Sequence, residues 1–126
     1  IIQTGSIREG IREIKPLISR EELLRARQAI RDEVQLSEKI TEYIYRLVVA
    51  TREHPMLLAG ISTRGAISLA DTARSHAFLA GRDHVIPEDV KAIFPGLARH
   101  RMRVPHGLET TVNEQIANLL DQVAIP

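Results

Sequence analysis

The sequence predicts an all-α fold, a small bundle of four to five helices joined by short extended links, on three observations. Apolar residues recur at helical spacing in five separate stretches. Ser or Thr precedes most of these stretches as a potential N-cap, and glycines and prolines fall between them. Alternating apolar residues occur only in runs too short for an independent sheet.

Each element follows from its residues. Ile1 to Ile18 contains Gly5, Gly10 and Pro16 and the charged run Arg8, Glu9, Arg12, Glu13 and Lys15, so it reads as a connector that packs only in part. Ser19 followed by Glu22 is a capping box, and a helix is expected from about Arg20 to about Asp32 with Leu23, Arg27 and Ile30 on one stripe and Leu24 beside it. Val34 to Leu36 alternate as an extended link, and Ser37 caps the next helix, about Glu38 to Glu53. Its core face is Ile40, Tyr43, Ile44, Leu47, Val48 and Thr51. Pro55 ends that helix at His54. Met56 to Ile61 is an apolar loop, which needs a cover.

Ser62 then caps a helix over about Thr63 to Ala80. Its inner stripe is small (Ala66, Ala70, Ala73 and Ala77), flanked by Ile67, Leu69 and Phe78, and permits close approach of a neighbouring helix. Gly81 suits a left-handed C-terminal position. Val85-Ile86 is a short extended step, and Pro87, Glu88 and Asp89 start a further helix with Val90, Ile93, Phe94 and Leu97, which Pro95 is expected to kink or divide. Arg101 to Val104 form another extended piece, and Pro105 to Gly107 turn the chain. Thr110 or Thr111 caps a last helix bearing Val112, Ile116, Leu119, Leu120 and Val123. The organisation expected is a connector at 1–18, a helical domain at 19–104, and a turn and helix at 105–126 packed on it.

Composition narrows the function. The 126 residues carry 17 Lys plus Arg against 16 Asp plus Glu, a net charge of +1, where a protein that holds duplex DNA normally has a clear basic excess. With no cysteine, Cys-based zinc sites, thiol nucleophiles and disulfides are excluded. No run approaches the ~18 apolar residues of a membrane span and nothing resembles a signal peptide, so a cytoplasmic location is the default expectation. The first residue is Ile1, which suggests a fragment of something longer.

No phosphate loop, nucleophile elbow, H-E-x-x-H pair or EF-hand loop is present. His54, His76, His84, His100 and His106 share no ligand spacing, so no metal is expected, and the helix dipole accounts for Glu88 and Asp89 without catalysis. Gly60-Ile61-Ser62-Thr63-Arg64 is different. The cap places Arg64 in the first turn of a helix, where positive charge is unfavourable and free amides favour an anion. A phosphate would resolve that conflict, and the planar guanidinium fork suits its oxygens. The alternative is a solvated arginine paired with a local acid.

Four segments together resemble the C-terminal lid of the MoxR family of AAA+ ATPases. They are Leu47-Val48-Val49-Ala50-Thr51-Arg52-Glu53-His54-Pro55, Gly60-Ile61-Ser62-Thr63-Arg64-Gly65-Ala66, Gly81-Arg82-Asp83-His84-Val85-Ile86-Pro87-Glu88-Asp89-Val90 and Leu97-Ala98-Arg99-His100-Arg101, and the likeness runs from about Ser19 to Arg103. The lid of the magnesium chelatase ATPase subunit is similar. The resemblance implies that Arg64 is the sensor 2 arginine, reaching the γ-phosphate of ATP held with Mg²⁺ by a separate α/β core of the same chain. Gly60, Ile61 and Ser62 are implied to lie with it at the nucleotide. Thr63 stands where the family usually has proline, which leaves the helix start less rigid.

In that frame the loop Met56 to Ile61 is expected to close over adenine and ribose. Gly81-Arg82-Asp83 and Pro87-Glu88-Asp89 read as scaffold. Arg99, His100, Arg101 and Arg103 either favour a helix end or contact a neighbouring subunit. The fragment alone is expected to bind no cofactor and hydrolyse no ATP. The intact protein is implied to form a ring, commonly hexameric and built of copies of itself, that remodels or matures a client protein without nucleic acid or an integral membrane segment. Two other readings compete: a histone-fold-like DNA-binding module, suggested by Ala80 to Val90 but opposed by the balanced charge and by Pro55 and Gly60, and a helical interaction module with no nucleotide role.

Overall fold

Hydroxyl side chains start four of the five helices that the described residues form. The computed structural model describes residues 14–105 and 111–125. Ser19 begins α1 (Arg20–Glu33), Ser37 begins α2 (Glu38–Glu53), Ser62 begins α3 (Thr63–Leu79) and Thr111 begins α5 (Val112–Gln122), each accepting a hydrogen bond from an amide of the first turn. Pro87 starts α4 (Pro87–Ala98), where its missing N–H has no helical partner to lose. Gly81 has φ of 74°, the left-handed geometry expected of it, and there the chain leaves α3.

The core lies among α2 to α5. Tyr43 and Leu47 of α2, Leu69, Ala73 and Ala77 of α3, Val90, Phe94 and Ala98 of α4, and Ile116 and Leu119 of α5 are all buried. Each large side chain among them contributes roughly 1.5–3 kcal/mol by leaving water. Ala73, Ala77 and Ala98 keep the α3–α4 interface thin, and these two helices share the most extensive contact in the fold.

The expected extended links pair with one another. Gln35 bridges His84 in parallel fashion, with the Gln35 amide 2.8 Å from the Asp83 carbonyl and the Val85 amide 3.0 Å from the Gln35 carbonyl. Ala59 bridges Arg103 in antiparallel fashion, and the Leu58 amide donates to the Arg103 carbonyl at 2.7 Å. The segment after α4 thus covers part of the apolar loop, while Leu58 itself stays 69% exposed.

The stripe of Leu23, Arg27 and Ile30 with Leu24 meets no core: none of the 14 residues of α1 is buried, because α1 touches α3 alone among the described helices. Two expectations are corrected. Ile67 does not flank an interior stripe but is 59% exposed, the inner face of α3 being Gly65, Leu69, Ala73 and Ala77. Pro95 does not divide α4, since Phe94 and Ala98 beside it are fully buried and the Arg99 amide still reaches the Pro95 carbonyl at 3.1 Å. Most of the connector (residues 1–13), Thr110, and His106 and Gly107 of the turn lie outside the described residues.

Candidate functional site

The last turn of α2 and the loop that follows it build the start of α3. The His54 ring nitrogen accepts the Met56 amide at 3.2 Å, which turns the chain at the end of the helix. The loop then returns to α2 so closely that Gly60 lies against the backbone of Thr51 and Arg52. Ile61, fully buried, is held at both backbone groups: its amide donates to Thr51 Oγ1 at 2.9 Å, and its carbonyl accepts from Arg52 Nε at 2.7 Å. Ser62 follows as N-cap, its hydroxyl accepting the Gly65 amide at 3.2 Å.

Arg64 therefore stands in the first turn of α3. It is exposed, and its guanidinium has no hydrogen-bond or ion-pair partner among the described residues. The other four helices carry at least one acid in the first turn; α3 carries none. Two further arginines flank the same turn. Arg52 Nη2 lies 3.4 Å from Thr63 Oγ1, and Arg101 is laid across Gly65, where an added Cβ would meet its Cδ at 3.3 Å. Positive charge at the positive end of a helix is unfavourable until an anion arrives.

Gly60, Ile61, Ser62 and Arg64 are thus contiguous, with unequal roles. Gly60 and Ile61 face inward as the foundation, Ser62 caps the helix, and Arg64 alone among the four presents an unengaged side-chain group. Sequence reasoning did not bring Arg52 and Arg101 to this turn. Both lie in segments that carry the family resemblance, but no local pattern ties them to this turn, and only the packed bundle makes them converge. Beside the turn, an apolar groove of about 320 Å³ opens between α2 and α3, lined by Ile44, Tyr45, Val48, Ala66, Ile67 and Ala70.

Other charged residues are committed to the scaffold. Asp89 is fully buried and accepts two bonds of 2.6 Å from the Arg82 guanidinium, one of 2.9 Å from the Ile86 amide, and contacts His76 Nδ1 at 2.6 Å. Burial pushes its carboxyl up, but Arg82, Ile86 and His76 outweigh that and hold it well below the usual carboxylate range. Arg99 donates to Asn113 at 3.0 Å and Arg101 to the Leu97 carbonyl at 3.2 Å. Among the described residues no three His, Cys, Asp or Glu side chains come together as metal ligands, and no helix is long and apolar enough to cross a membrane.

The all-α bundle has a family. The model of the AAA lid domain matches residues 49–119, and the chain belongs to that family. Proteins named MoxR are among its relatives. The chain is 30% identical to Chaperone MoxR1 of Mycobacterium tuberculosis over 124 residues, covering 89% of this chain and 33% of that protein. It is 36% identical to the uncharacterized protein YeaC of Bacillus subtilis over 92 residues, 73% of this chain and 28% of that one. A crystal structure of a protein from Cytophaga hutchinsonii, assigned as an ATPase, superposes with a TM-score of 0.82 at 31% identity, over 90% of this chain and 38% of that one. The chain spans about a third of the length of the relatives it matches.

Proposed function

We propose that Arg64 is the sensor 2 arginine of the parent MoxR-like ATPase. It reaches from this lid to ATP, held with Mg²⁺ by a separate core of the same polypeptide, and couples hydrolysis to chaperone-like remodelling of a client within a ring of identical subunits. The supporting observation is the exposed, unpartnered guanidinium in the first turn of a helix that has no acid there. The site fits one end of a phosphate chain: the free amides of the helix start, the dipole and the planar fork all favour oxyanions.

ATP supplies the transferable phosphoryl group. Arg64 contributes a charge-stabilising donor that needs little reorganisation, because the Ser62 cap and the buried Ile61 already fix its turn. A guanidinium that contacts the γ-phosphate binds ATP and ADP unequally, and that inequality is the most that nucleotide exchange can use to move the lid. Arg64→Ala in the full-length parent is expected to lower ATP turnover by about 10² to 10³ while the lid stays folded. A steady-state assay checks this, and unchanged turnover overturns the assignment.

A further inference from the structure

We infer that Thr51 and Arg52 are positioning residues for Arg64: by holding the two backbone groups of Ile61 they set the direction in which the first turn of α3 projects. The inference rests on the reading of Arg64 as the phosphate-contacting residue. Ile61 is the last residue before the cap, so a tilt of its peptide groups is passed directly to Ser62 and the turn beyond. Both groups are held by side chains of one α2 turn. The Thr51 hydroxyl uses both its roles, donating to the Val48 carbonyl at 2.7 Å and accepting the Ile61 amide at 2.9 Å. Arg52 grips both sides of the cap residue, with Nε on the Ile61 carbonyl at 2.7 Å and Nη2 on the Thr63 hydroxyl at 3.4 Å.

The contact has no slack. Gly60 lies against the α2 backbone, where a Cβ would sit 2.6 Å from the Thr51 oxygen, so the loop is seated at a depth that only glycine allows. Arg52 is exposed and supplies no core side chain, so its bonds do not account for the burial of Tyr43, Leu47 or Leu69. Their geometric effect falls on the turn that carries Arg64. Lysine keeps the charge at this position but offers one compact head in place of a planar fork, and does not span both acceptors in the same way. Displacing a reacting contact by about 1 Å costs up to 10²-fold in rate.

A double-mutant cycle in the full-length parent tests the inference. Arg52→Ala is expected to lower kcat by about tenfold or more, up to ~10²-fold, with KM for ATP little changed. Arg52→Lys is expected not to restore it, and adding Arg52→Ala to Arg64→Ala is expected to cause no further loss, because the first acts only through the second. Wild-type turnover in Arg52→Ala, or losses that multiply in the double variant, overturn the positioning role and leave the Arg64 assignment standing. If Arg64→Ala itself has no effect, both fall. Amide hydrogen exchange on the 126-residue chain gives an independent reading. In Arg52→Ala the hydrogen-bonded Ile61 and Gly65 amides are expected to exchange faster while the middle of α2 stays protected; unchanged protection at Ile61 and Gly65 overturns the inference.

Discussion

A methyl group added at Gly60 would lie 2.6 Å from the Thr51 carbonyl oxygen and 2.7 Å from the Arg52 nitrogen, backbone atoms that cannot rotate away. Gly60→Ala is therefore expected to destabilise the chain by about 1–3 kcal/mol, the usual cost of overpacking. Gly96, on the exposed side of α4, has nothing within 4 Å of its would-be Cβ, and Gly96→Ala is expected to stabilise by about 0.5–1 kcal/mol. Urea midpoints of the two variants should move in opposite directions. The sequence does not show which of the two glycines is crowded, because a close approach between residues nine apart depends on how the loop folds back. Arg64 was legible for a different reason: the Ser62 cap is a local signal, and it fixes which turn the arginine occupies. Arg52 and Arg101 were not legible as its neighbours, since they reach that turn from two other elements.

At the scale of helices, the caps made the boundaries readable while the ion pairs between elements were not. Glu88 and Asp89 are adjacent acids at the start of α4, and the dipole alone accounted for both. In the fold they separate: Glu88 is exposed, whereas Asp89 turns inward to join His76 of α3, Arg82 of the connecting turn and the start of α4. Asp89→Asn is expected to cost about 2–3 kcal/mol through the loss of charge-assisted hydrogen bonds. The pH dependence has a definite sign. Because the carboxyl is held below its ordinary value of 3.8 in the folded chain, its stabilisation is present above that pH and is lost progressively as pH falls below it. Thermal melts of wild type and Asp89→Asn should differ clearly at pH 7 and converge as the medium is acidified past about 4.

For the molecule as a whole, the periodicity that located α1 left open where its apolar face goes. Leu23 and Leu24 are 47% and 51% exposed, and Leu17, just ahead of them, is 100% exposed. An amphipathic stripe reports that a helix has something to bury against, not that the partner lies in the same 126 residues. A helix of 14 residues with none buried draws little stability from packing, so its amides are expected to exchange fastest among the five helices and those of α2 among the slowest. Exchange measured on this chain checks that order; equal protection of α1 and α2 contradicts it.

The two isolated bridges carry a consequence for anyone who wishes to label this lid. One fastens the link before α2 to the link before α4, and the other fastens the link before α3 to the stretch following α4. Surface connections ordinarily accept inserted sequence, yet here each of the four inter-helix links holds one half of a crosslink. A fluorophore loop or affinity tag spliced into any of them would release its opposite number as well. A position ahead of Ser19 avoids both fastenings and leaves the cap of α1 in place.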